Sequence, residues 1–493
     1  YSGFEERRSE MTQKRSLSLL WICFSLALIS FGAGCARIPT HPSALRYPEL
    51  NVEYPKPERV VLDNGLVIYL LEDHEVPIVD GFLTVRGGSI YDPPEKIGLA
   101  SMTGAVMRTG GTPDMTGDEI DEELELLAAS VETSFSREEA NASFSTMAKD
   151  LDRVLQLYAD VILRPAFRED KIELKRREML EEIRRRNDDP GRIASREFGF
   201  LVYGKENPWA RVPSRSDVLS LTQQDLVEFH RRSFRPDQAI LALAGDFSRN
   251  EMLEKIKKIF GDWKPSGEPF QKLEPIRDDA PRVGVHIVRR ETEQVNIRLG
   301  HLGISRHDPD RFAVLLLNYI LGDGGFNARL IQTIRSDLGL AYVVWGSIGH
   351  GTDRGAFTVV AETKSESTGL AVEKMIEIIQ GMCNELVSEE DISRAKESLI
   401  NQFVFLYDSS WGIVRQYASL EHYGYAEDYL DKYLDRLKAV TREDIQNAAR
   451  KHLHPDSLVI LAVGNPDTSE TPLSKFGTVS EITLDAPEAQ ETP

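Results

Sequence analysis

Cysteine is scarce in this chain, with three residues in 493. Cys23 and Cys35 lie in an apolar N-terminal segment and Cys383 stands alone, so a disulfide framework is excluded for the folded body. Positive charge is also in deficit: 59 lysines and arginines face 79 aspartates and glutamates, a formal net charge of −20. This balance argues against a nucleic-acid partner and against adhesion to an anionic membrane surface. An acidic surface could attract basic peptides, but solubility is the simpler interpretation.

Histidine pairs of the kind that hold a metal on a helix are also missing. The chain has ten histidines, and no two of them are four residues apart. His452 and His454 form a His-x-His at the end of a predicted helix, where a polar last turn is the simpler interpretation. A Ser-His-Asp signature is lacking and Cys383 has no recognisable motif around it, so nothing supports an independent enzyme with another mechanism.

What remains is the composition of an ordinary globular protein, with 41% hydrophobic and 28% charged residues. A chain of 493 residues can bury a large core. Its length predicts more than one domain.

The first 55 residues are predicted to direct and tether the chain. After Met11 a short basic stretch precedes an apolar run over residues 17–31 and the sequence GAGC, which ends at Cys35. This order resembles a bacterial lipoprotein signal, in which Cys35 is lipidated and becomes the first mature residue. We therefore expect a leader and signal peptide over residues 1–34 and an extended, proline-rich tether over residues 35–55.

The predicted location is the bacterial cell envelope. The residue directly after the lipidated cysteine is Ala36 rather than aspartate, which resembles the signal for sorting to the outer membrane. A lipid on Cys35 would anchor the chain there, facing the periplasm. The alternative is an uncleaved membrane anchor, which the short apolar run disfavours because a spanning helix needs about 20 apolar residues.

Two distant segments share one pattern, which indicates an internal duplication. They read LTQQDLVEFHRRSFRPDQAILALAGD and VTREDIQNAARKHLHPDSLVILAVGN, and their equivalent landmarks lie 219 positions apart. Thr222 and Thr441 are predicted helix caps, and each is followed by an amphipathic helix, a proline break and a buried strand. The chain therefore contains two repeats of roughly 200 residues.

Each repeat opens with strands and continues with helices, which predicts an α+β fold of two tandem, homologous α/β-sandwich domains. A stretch rich in proline and charge separates them, and a polar, acidic stretch follows the second. The predicted order is an N-terminal domain, a linker, a C-terminal domain and a loose tail, over residues 56–265, 266–283, 284–466 and 467–493.

Four segments carry a specific resemblance. They are GGSIYDPPEKIGLA, LEEIRRRNDDP, PWARVPSRSDVLSLTQQDLVEFHRRSFRPDQAILALAGDF and LGDGGFNARLIQTIRSDLGLAYVVWGS. Through them the chain resembles the pitrilysin, insulysin and mitochondrial processing peptidase family of zinc peptidases, the inverzincins. The resemblance covers nearly all of residues 56–466 and implies a duplicated metallopeptidase-like fold.

The resemblance also implies a lost metal site. The family's motif is His-x-x-Glu-His, in which two histidines hold zinc and the glutamate activates the metal-bound water. Its three positions fall on Ser101, Gly104 and Ala105, none of which can replace its counterpart. The third-ligand position falls on Glu182, and one carboxylate does not hold catalytic zinc. The chain is therefore expected to bind no cofactor and to be inactive alone.

A second site of the family is retained. An arginine and a tyrosine seven residues apart are implied to hold the substrate backbone, and here they are Arg335 and Tyr342. From spacing alone, the alternatives are an arginine paired with Asp337 and a tyrosine in the core. The preceding LGDGGFN, residues 321–327, lacks the lysine and the spacing of a phosphate-binding loop.

In two-chain members of the family, one chain brings the zinc helix and the other the arginine–tyrosine pair. The resemblance therefore implies a non-catalytic, substrate-binding subunit of a heteromeric periplasmic zinc metallopeptidase, with the zinc in a homologous partner. A peptide is expected to add to a sheet edge, which the sequence does not identify. The alternative is a non-proteolytic scaffold subunit at the outer membrane, which has no need of that pair.

Overall fold

The computed structural model describes residues 54–485 except 266, 268 and 269. The predicted signal peptide over residues 1–34, its Cys35 and nearly all of the predicted tether lie outside this range. Within the described part of the chain, no helix is both long enough and apolar enough to cross a membrane.

The first half of the chain forms one mixed sheet. Its strands are β1 (Glu58–Val61), β2 (Val67–Glu72), β3 (Ile78–Arg86), β4 (Ser130–Phe135), β5 (Glu139–Met147) and β6 (Ala239–Gly245). Their order across the sheet is β1-β2-β6-β3-β5-β4, with β2 and β6 parallel and the other neighbours antiparallel. In β5 buried residues alternate with less buried ones, as a strand with one covered face requires.

Helices of the first half cover this sheet or extend from it. They are α1 (Leu99–Thr109), α2 (Gly117–Leu126), α3 (Leu151–Leu163), α4 (Glu169–Arg185), α5 (Pro190–Tyr203), α6 (Arg215–Ser220), α7 (Gln223–Ser233) and α8 (Arg249–Phe260). The predicted cap Thr222 accepts a hydrogen bond from Asp225 N–H in a complete capping box at the start of α7.

The second half builds a second six-stranded sheet and a small parallel pair. The strands are β7 (Gly284–Arg289), β8 (Gln294–Leu302), β9 (Ile304–Ser305), β10 (Ala341–Ile348), β11 (His350–Gly351), β12 (Ala356–Lys364), β13 (Val459–Gly464) and β14 (Val479–Glu481). The order in the large sheet is β10-β12-β8-β13-β7-β14, and β9 pairs with β11. Two sheets in homologous halves confirm the predicted α+β fold.

The second half has its own helices. They are α9 (Arg311–Asn318), α10 (Thr368–Asn384), α11 (Glu389–Val404), α12 (Ser410–His422), α13 (Tyr433–Ala439) and α14 (Arg442–His452). Two π-helical segments, Tyr319–Asp323 and Ile331–Asp337, stand between α9 and β10. Thr441 caps α14 in the same capping box that Thr222 forms on α7, as the repeat predicts.

The prediction of a loose tail from residue 467 was wrong for the part that is described. Residues 479–481 form β14, which pairs in parallel with β7 at the edge of the second sheet. Ile482 N–H donates to Ile287 O at 2.8 Å, and Leu473 is buried. A three-residue strand with exposed side chains leaves no periodic signal in the sequence, so only its partner strand reveals it.

The two halves exchange a helix. α12, from the second half, packs Ile413, Val414 and Ala418 against the first sheet. α5, from the first half, packs on the second sheet, where Ile193 and Leu201 belong to one buried cluster with its strands. Their first residues lie 220 positions apart, so the repeat places them in equivalent roles. The predicted boundary between two domains stays a prediction, but this packing crosses it.

This exchange explains why β6 and β13 are apolar throughout. Successive residues of a strand point to opposite faces, so a strand covered on one face should alternate. All six residues of β13 are buried, as are the first six of β6. One face of each strand packs on helices of its own half, and the other face packs on the exchanged helix.

Ile413→Ala should destabilise both halves together. Ile413 is 2% exposed, and an Ile-to-Ala truncation in a core costs about 2–5 kcal/mol. Urea unfolding should keep one transition, and hydrogen exchange should accelerate in β13 as well as in β6. The control Val227→Ala, at a position 41% exposed, should change the free energy of unfolding by less than about 0.5 kcal/mol. Unchanged exchange in β13 would show that the halves unfold separately.

Candidate functional site

The helix on which the predicted zinc positions fall starts from a buried carboxylate. Asp92 Oδ2 accepts from Gly98 N–H and its Oδ1 accepts from Ala100 N–H, both at 2.8 Å. Asp92 is 2% exposed, and this burial raises the pKa of its carboxyl to about 6, although the two donors oppose the rise. The carboxylate thereby fixes where α1 begins.

At Gly104, α1 lies directly against the edge strand β4. A Cβ at Gly104 would lie 2.6 Å from Phe135 Cδ2 and 2.9 Å from the backbone nitrogen of Phe135. Thr133 Oγ1 donates to Gly104 O at 2.7 Å and ties the helix to the strand. The space into which a catalytic glutamate would extend is therefore filled by β4.

The other inherited positions offer little to a metal. Ser101 is exposed and Ala105 is partly buried on α1, and Glu182 is exposed on α4. They provide one hydroxyl and one carboxylate but no imidazole, which is the donor that the zinc motif needs twice. Because β4 also blocks position 104, these residues do not fit a catalytic zinc. The assignment of Glu182 as the relict third-ligand position stays a prediction.

A different group of possible ligands lies at the end of α14. In the part of the chain that the structure describes, the ligand atoms of Asp308, Asp310 and His452 lie within 4.8 Å of one another. His452 Nε2 is 2.8 Å from Asp310 Oδ2, and Lys451 Nζ donates to the same oxygen at 2.6 Å. The lysine already neutralises this aspartate, so the group is an ion-pair network. His452 thus lies in the polar last turn that the sequence indicated.

The arginine–tyrosine pair lies on the surface of the second half. The guanidinium carbon of Arg335 is 5.2 Å from the ring centre of Tyr342 and 5.2 Å from that of Phe326. Tyr342 is 75% exposed and Phe326 is 67% exposed. Two aromatic rings thus flank the guanidinium through cation–π contacts. They restrict its position without using its N–H donors.

Neither structural alternative for the pair is seen. Asp337 Oδ1 accepts from Gln332 Nε2 at 2.9 Å, and no described carboxylate forms an ion pair with Arg335. The exposure of Tyr342 excludes a core position. The geometry leaves both side chains free for a ligand, and their role in binding a substrate stays a prediction.

Local backbone irregularities place this pair. Arg335 lies in the π-helical segment Ile331–Asp337, a geometry that often marks functional positions. The register of β10 against β12 shifts between Ala341 and Val343, so Tyr342 is a bulge residue without a cross-strand partner. A bulge re-aims its side chain, and here the ring turns onto Arg335.

The glycines of LGDGGFN allow the neighbouring segment to approach β10. A Cβ at Gly322 would lie 2.4 Å from the backbone nitrogen of Gly346, so only glycine fits there. Gly325 has φ of 60°, which turns the chain before Phe326. Phe326 was not among the residues expected at this site. Its signal was an aromatic residue at the tip of a glycine-rich turn, directly before the arginine helix.

The same pair stands beside an open sheet edge. β10 is the outermost strand of the second sheet on this side and pairs with β12 alone among the described strands. An edge strand presents unpaired backbone N–H and C=O groups, to which an extended peptide can add. Arg335 can then donate charge-assisted hydrogen bonds to a carbonyl, and the Tyr342 hydroxyl can donate another.

These features define a duplicated, metallopeptidase-like α+β protein with a closed metal position and an accessible arginine–tyrosine pair. Its residues 67–198 match Insulinase (Peptidase family M16), and residues 220–399 match the Peptidase M16 inactive domain. The chain belongs to the peptidase M16 family, the pitrilysin family, and its zinc motif is degenerate. This membership confirms the resemblance seen in the sequence.

Individual relatives show the same similarity. An uncharacterized zinc protease of Mycobacterium tuberculosis is 27% identical over 354 residues, which cover 69% of this chain and 78% of that protein. One of Rickettsia felis is 26% identical over 400 residues, covering 79% and 93%. The crystal structure of a peptidase M16 inactive domain from Pseudomonas fluorescens has a TM-score of 0.77 at 26% identity, covering 84% of this chain and all of that one.

Restoring the His-x-x-Glu-His residues at positions 101, 104 and 105 should not restore a metal site. We expect the double variant Ser101→His/Ala105→His to fold, because neither position is fully buried. Adding Gly104→Glu should cost more than about 3 kcal/mol, since it forces side-chain atoms into β4 and buries a carboxylate. Urea unfolding with and without zinc measures both effects. A triple variant that keeps the stability of the double variant and binds zinc tightly would contradict the closed site.

Asp92 should make stability depend on pH in a defined direction. Its carboxyl has a raised pKa in the folded state, so the folded chain holds the proton more tightly than the unfolded chain. Relative to Asp92→Asn, the parent should therefore lose stability as pH rises from the unfolded value of 3.8 to about 6, and stay level above. The loss should be about 3 kcal/mol.

Urea unfolding of both proteins between these pH values measures the difference. Asp63→Asn, at an exposed position, is the control. A parent that gains stability relative to Asp92→Asn over this interval would show that the two backbone donors outweigh burial.

Proposed function

We propose that this chain is the non-catalytic, substrate-binding partner subunit of a heteromeric zinc metallopeptidase that acts on peptides or unfolded segments. The observation that carries the proposal is Arg335, which two exposed rings hold beside an open strand edge without a carboxylate partner in the described chain. The closure at Gly104 supports a division of roles, because hydrolysis then needs a metal from another chain.

In this proposal a peptide adds to β10 as an extra strand. Backbone hydrogen bonds fix its register, since they form at every second residue along the edge. Arg335 and Tyr342 then donate to the carbonyl group of the bond to be cut, and they stabilise the negative charge that develops on its oxygen. The homologous partner subunit supplies the zinc, and this chain binds none.

The proposed location is the outer membrane, facing the periplasm, with a lipid on Cys35 as the anchor. This rests on the basic stretch, the apolar run and the GAGC sequence of the N-terminal segment. A tether of the predicted length would leave the described part free to pair with a soluble partner.

The central test measures hydrolysis of an unstructured peptide by the chain alone, by a homologue with an intact His-x-x-Glu-His, and by both together. We expect activity from the pair and none from this chain. Arg335→Ala should lower kcat/KM of the pair about 100- to 1,000-fold, as does loss of one donor to a developing oxyanion elsewhere. Tyr342→Phe, which keeps the ring over Arg335, should separate the hydroxyl from the cation–π support.

Arg231→Ala is the matched control, because Arg231 is an exposed arginine on α7 in the other half. It should leave kcat/KM unchanged. If Arg335→Ala behaves like this control, the substrate-binding role is lost and a scaffold role gains support. Hydrolysis by the isolated chain would overturn the division of roles.

A further inference from the structure

A cavity between the two halves has a charge opposite to that of the whole chain. It measures about 820 Å³. Its walls are α5, residues of β8, β10 and β12 in the second sheet, and the turn between β4 and β5. Its basic lining consists of Arg137, Arg192, Arg196, Arg211 and Arg298. We call it the arginine cavity. Such a concentration of cations is unexpected in a chain with a net charge of −20.

The one carboxylate in the lining of the arginine cavity is already engaged. Glu138 Oε2 pairs with Arg306 Nη2 at 3.1 Å, and its Oε1 accepts from Thr352 N–H at 2.8 Å. It therefore neutralises a residue outside the arginine cavity. Among the cavity arginines, only Arg196 forms an ion pair with a described carboxylate, so the lining keeps a net positive charge.

Arg298 has no partner for its charge within the described part of the chain. It lies on β8 and is half-buried, yet no described carboxylate forms an ion pair with it, and its buried Nε has no hydrogen-bond partner. Burial lowers the pKa of Arg298, which the charge of Glu362 partly opposes. Burying a guanidinium Nε–H without an acceptor is costly, and an anion that accepts from it would offset that cost.

Two other arginines are available to the same ligand. Arg192 on α5 and Arg137 in the β4–β5 turn form no ion pair with another described residue. Arg211 donates through Nη2 to Asp92 O at 2.9 Å, but its buried Nε is also without a partner. Arg196, in contrast, is committed to Glu197 at 2.9 Å. Donors thus converge on the arginine cavity from both halves.

The arginine cavity is continuous with the strand edge of the proposed peptide site. Trp345 lines the cavity and lies on β10, three residues after Tyr342. Three strand residues span roughly 10 Å. A peptide held at Arg335 and Tyr342 and extended along β10 would therefore place a group a few residues from the cut bond at the mouth of the arginine cavity.

We propose that the arginine cavity binds a carboxylate of the peptide substrate and so selects acidic peptides. This inference rests on the proposed function, because it uses the peptide position on β10. A peptide can bring this group as an Asp or Glu side chain or as its C-terminal carboxylate, and the planar guanidinium matches either one.

The test measures Kd of labelled, unstructured peptides for the full chain by fluorescence anisotropy. One series carries a single Asp at successive positions, with Asn as the matched neutral residue, and the other compares a C-terminal acid with its amide. We expect the acid form to bind about tenfold tighter in one series, which identifies the source of the carboxylate. Arg298→Gln and, separately, Arg192→Ala should remove most of this preference.

Arg232→Ala, at an exposed position on α7, is the control and should keep the preference. Arg298→Gln should keep the Tm of the parent because it breaks no ion pair, and the exposed Arg192 gives a second variant if it does not. Equal Kd for acid and neutral peptides would overturn the inference, as would tighter binding of inorganic phosphate than of any acidic peptide.

The outcomes that would overturn the carboxylate site can be distinguished from those that would overturn the proposed function. If Arg335→Ala still lowers hydrolysis by the reconstituted pair while acid and neutral peptides bind equally, only the carboxylate site is wrong. If Arg335→Ala leaves hydrolysis by the reconstituted pair unchanged, the proposed function is wrong, whether or not the chain prefers acidic peptides.

Discussion

The burial of β6 and β13 on both faces is the packing on which the rest of this structure depends. Each strand is the apolar centre of its sheet, and neither can be covered by helices of its own half alone. The exchanged helices α12 and α5 supply the missing cover. The same exchange brings polar groups of the two halves into contact, such as the Tyr423 hydroxyl with Glu139 at 3.0 Å. It also makes α5 a wall of the arginine cavity.

The two inherited sites differ in how they relate to the strand beside them. At the first, the absence of a side chain at Gly104 lets α1 lie against β4, and this contact occupies the volume that a catalytic side chain would need. At the second, Tyr342 lies at a bulge and Arg335 in a π-helical segment, and both side chains are exposed. Position 104 of the first site is thus part of the core, and the second site is presented to solvent. The proposed division of roles between two subunits rests on this difference.

The chain as a whole and the arginine cavity carry charges of opposite sign. The net charge of −20 on the chain would by itself favour basic partners. The proposed carboxylate binding in the arginine cavity reverses that expectation locally, because more distant surface charges are screened beyond about 10 Å while a bound carboxylate contacts the guanidinium groups directly. In the proposed function, the acidic surface serves solubility and the basic cavity serves binding.

Much of the fold could be predicted because local sequence patterns specify its helices and strands. Capping residues, proline breaks and apolar strands recur at a fixed spacing, and they determined the helices after Thr222 and Thr441, the strands that follow, and the duplication. Residue identity and spacing likewise predicted the loss of the zinc ligands at Ser101, Gly104 and Ala105 and the pairing of Arg335 with Tyr342. Only the tertiary structure decided which helix covers which sheet, that β14 closes an edge, that Phe326 flanks Arg335, and that arginines far apart in sequence share one cavity. The physical reason is that these features are contacts between segments distant along the chain, and no local pattern encodes the partner of a contact.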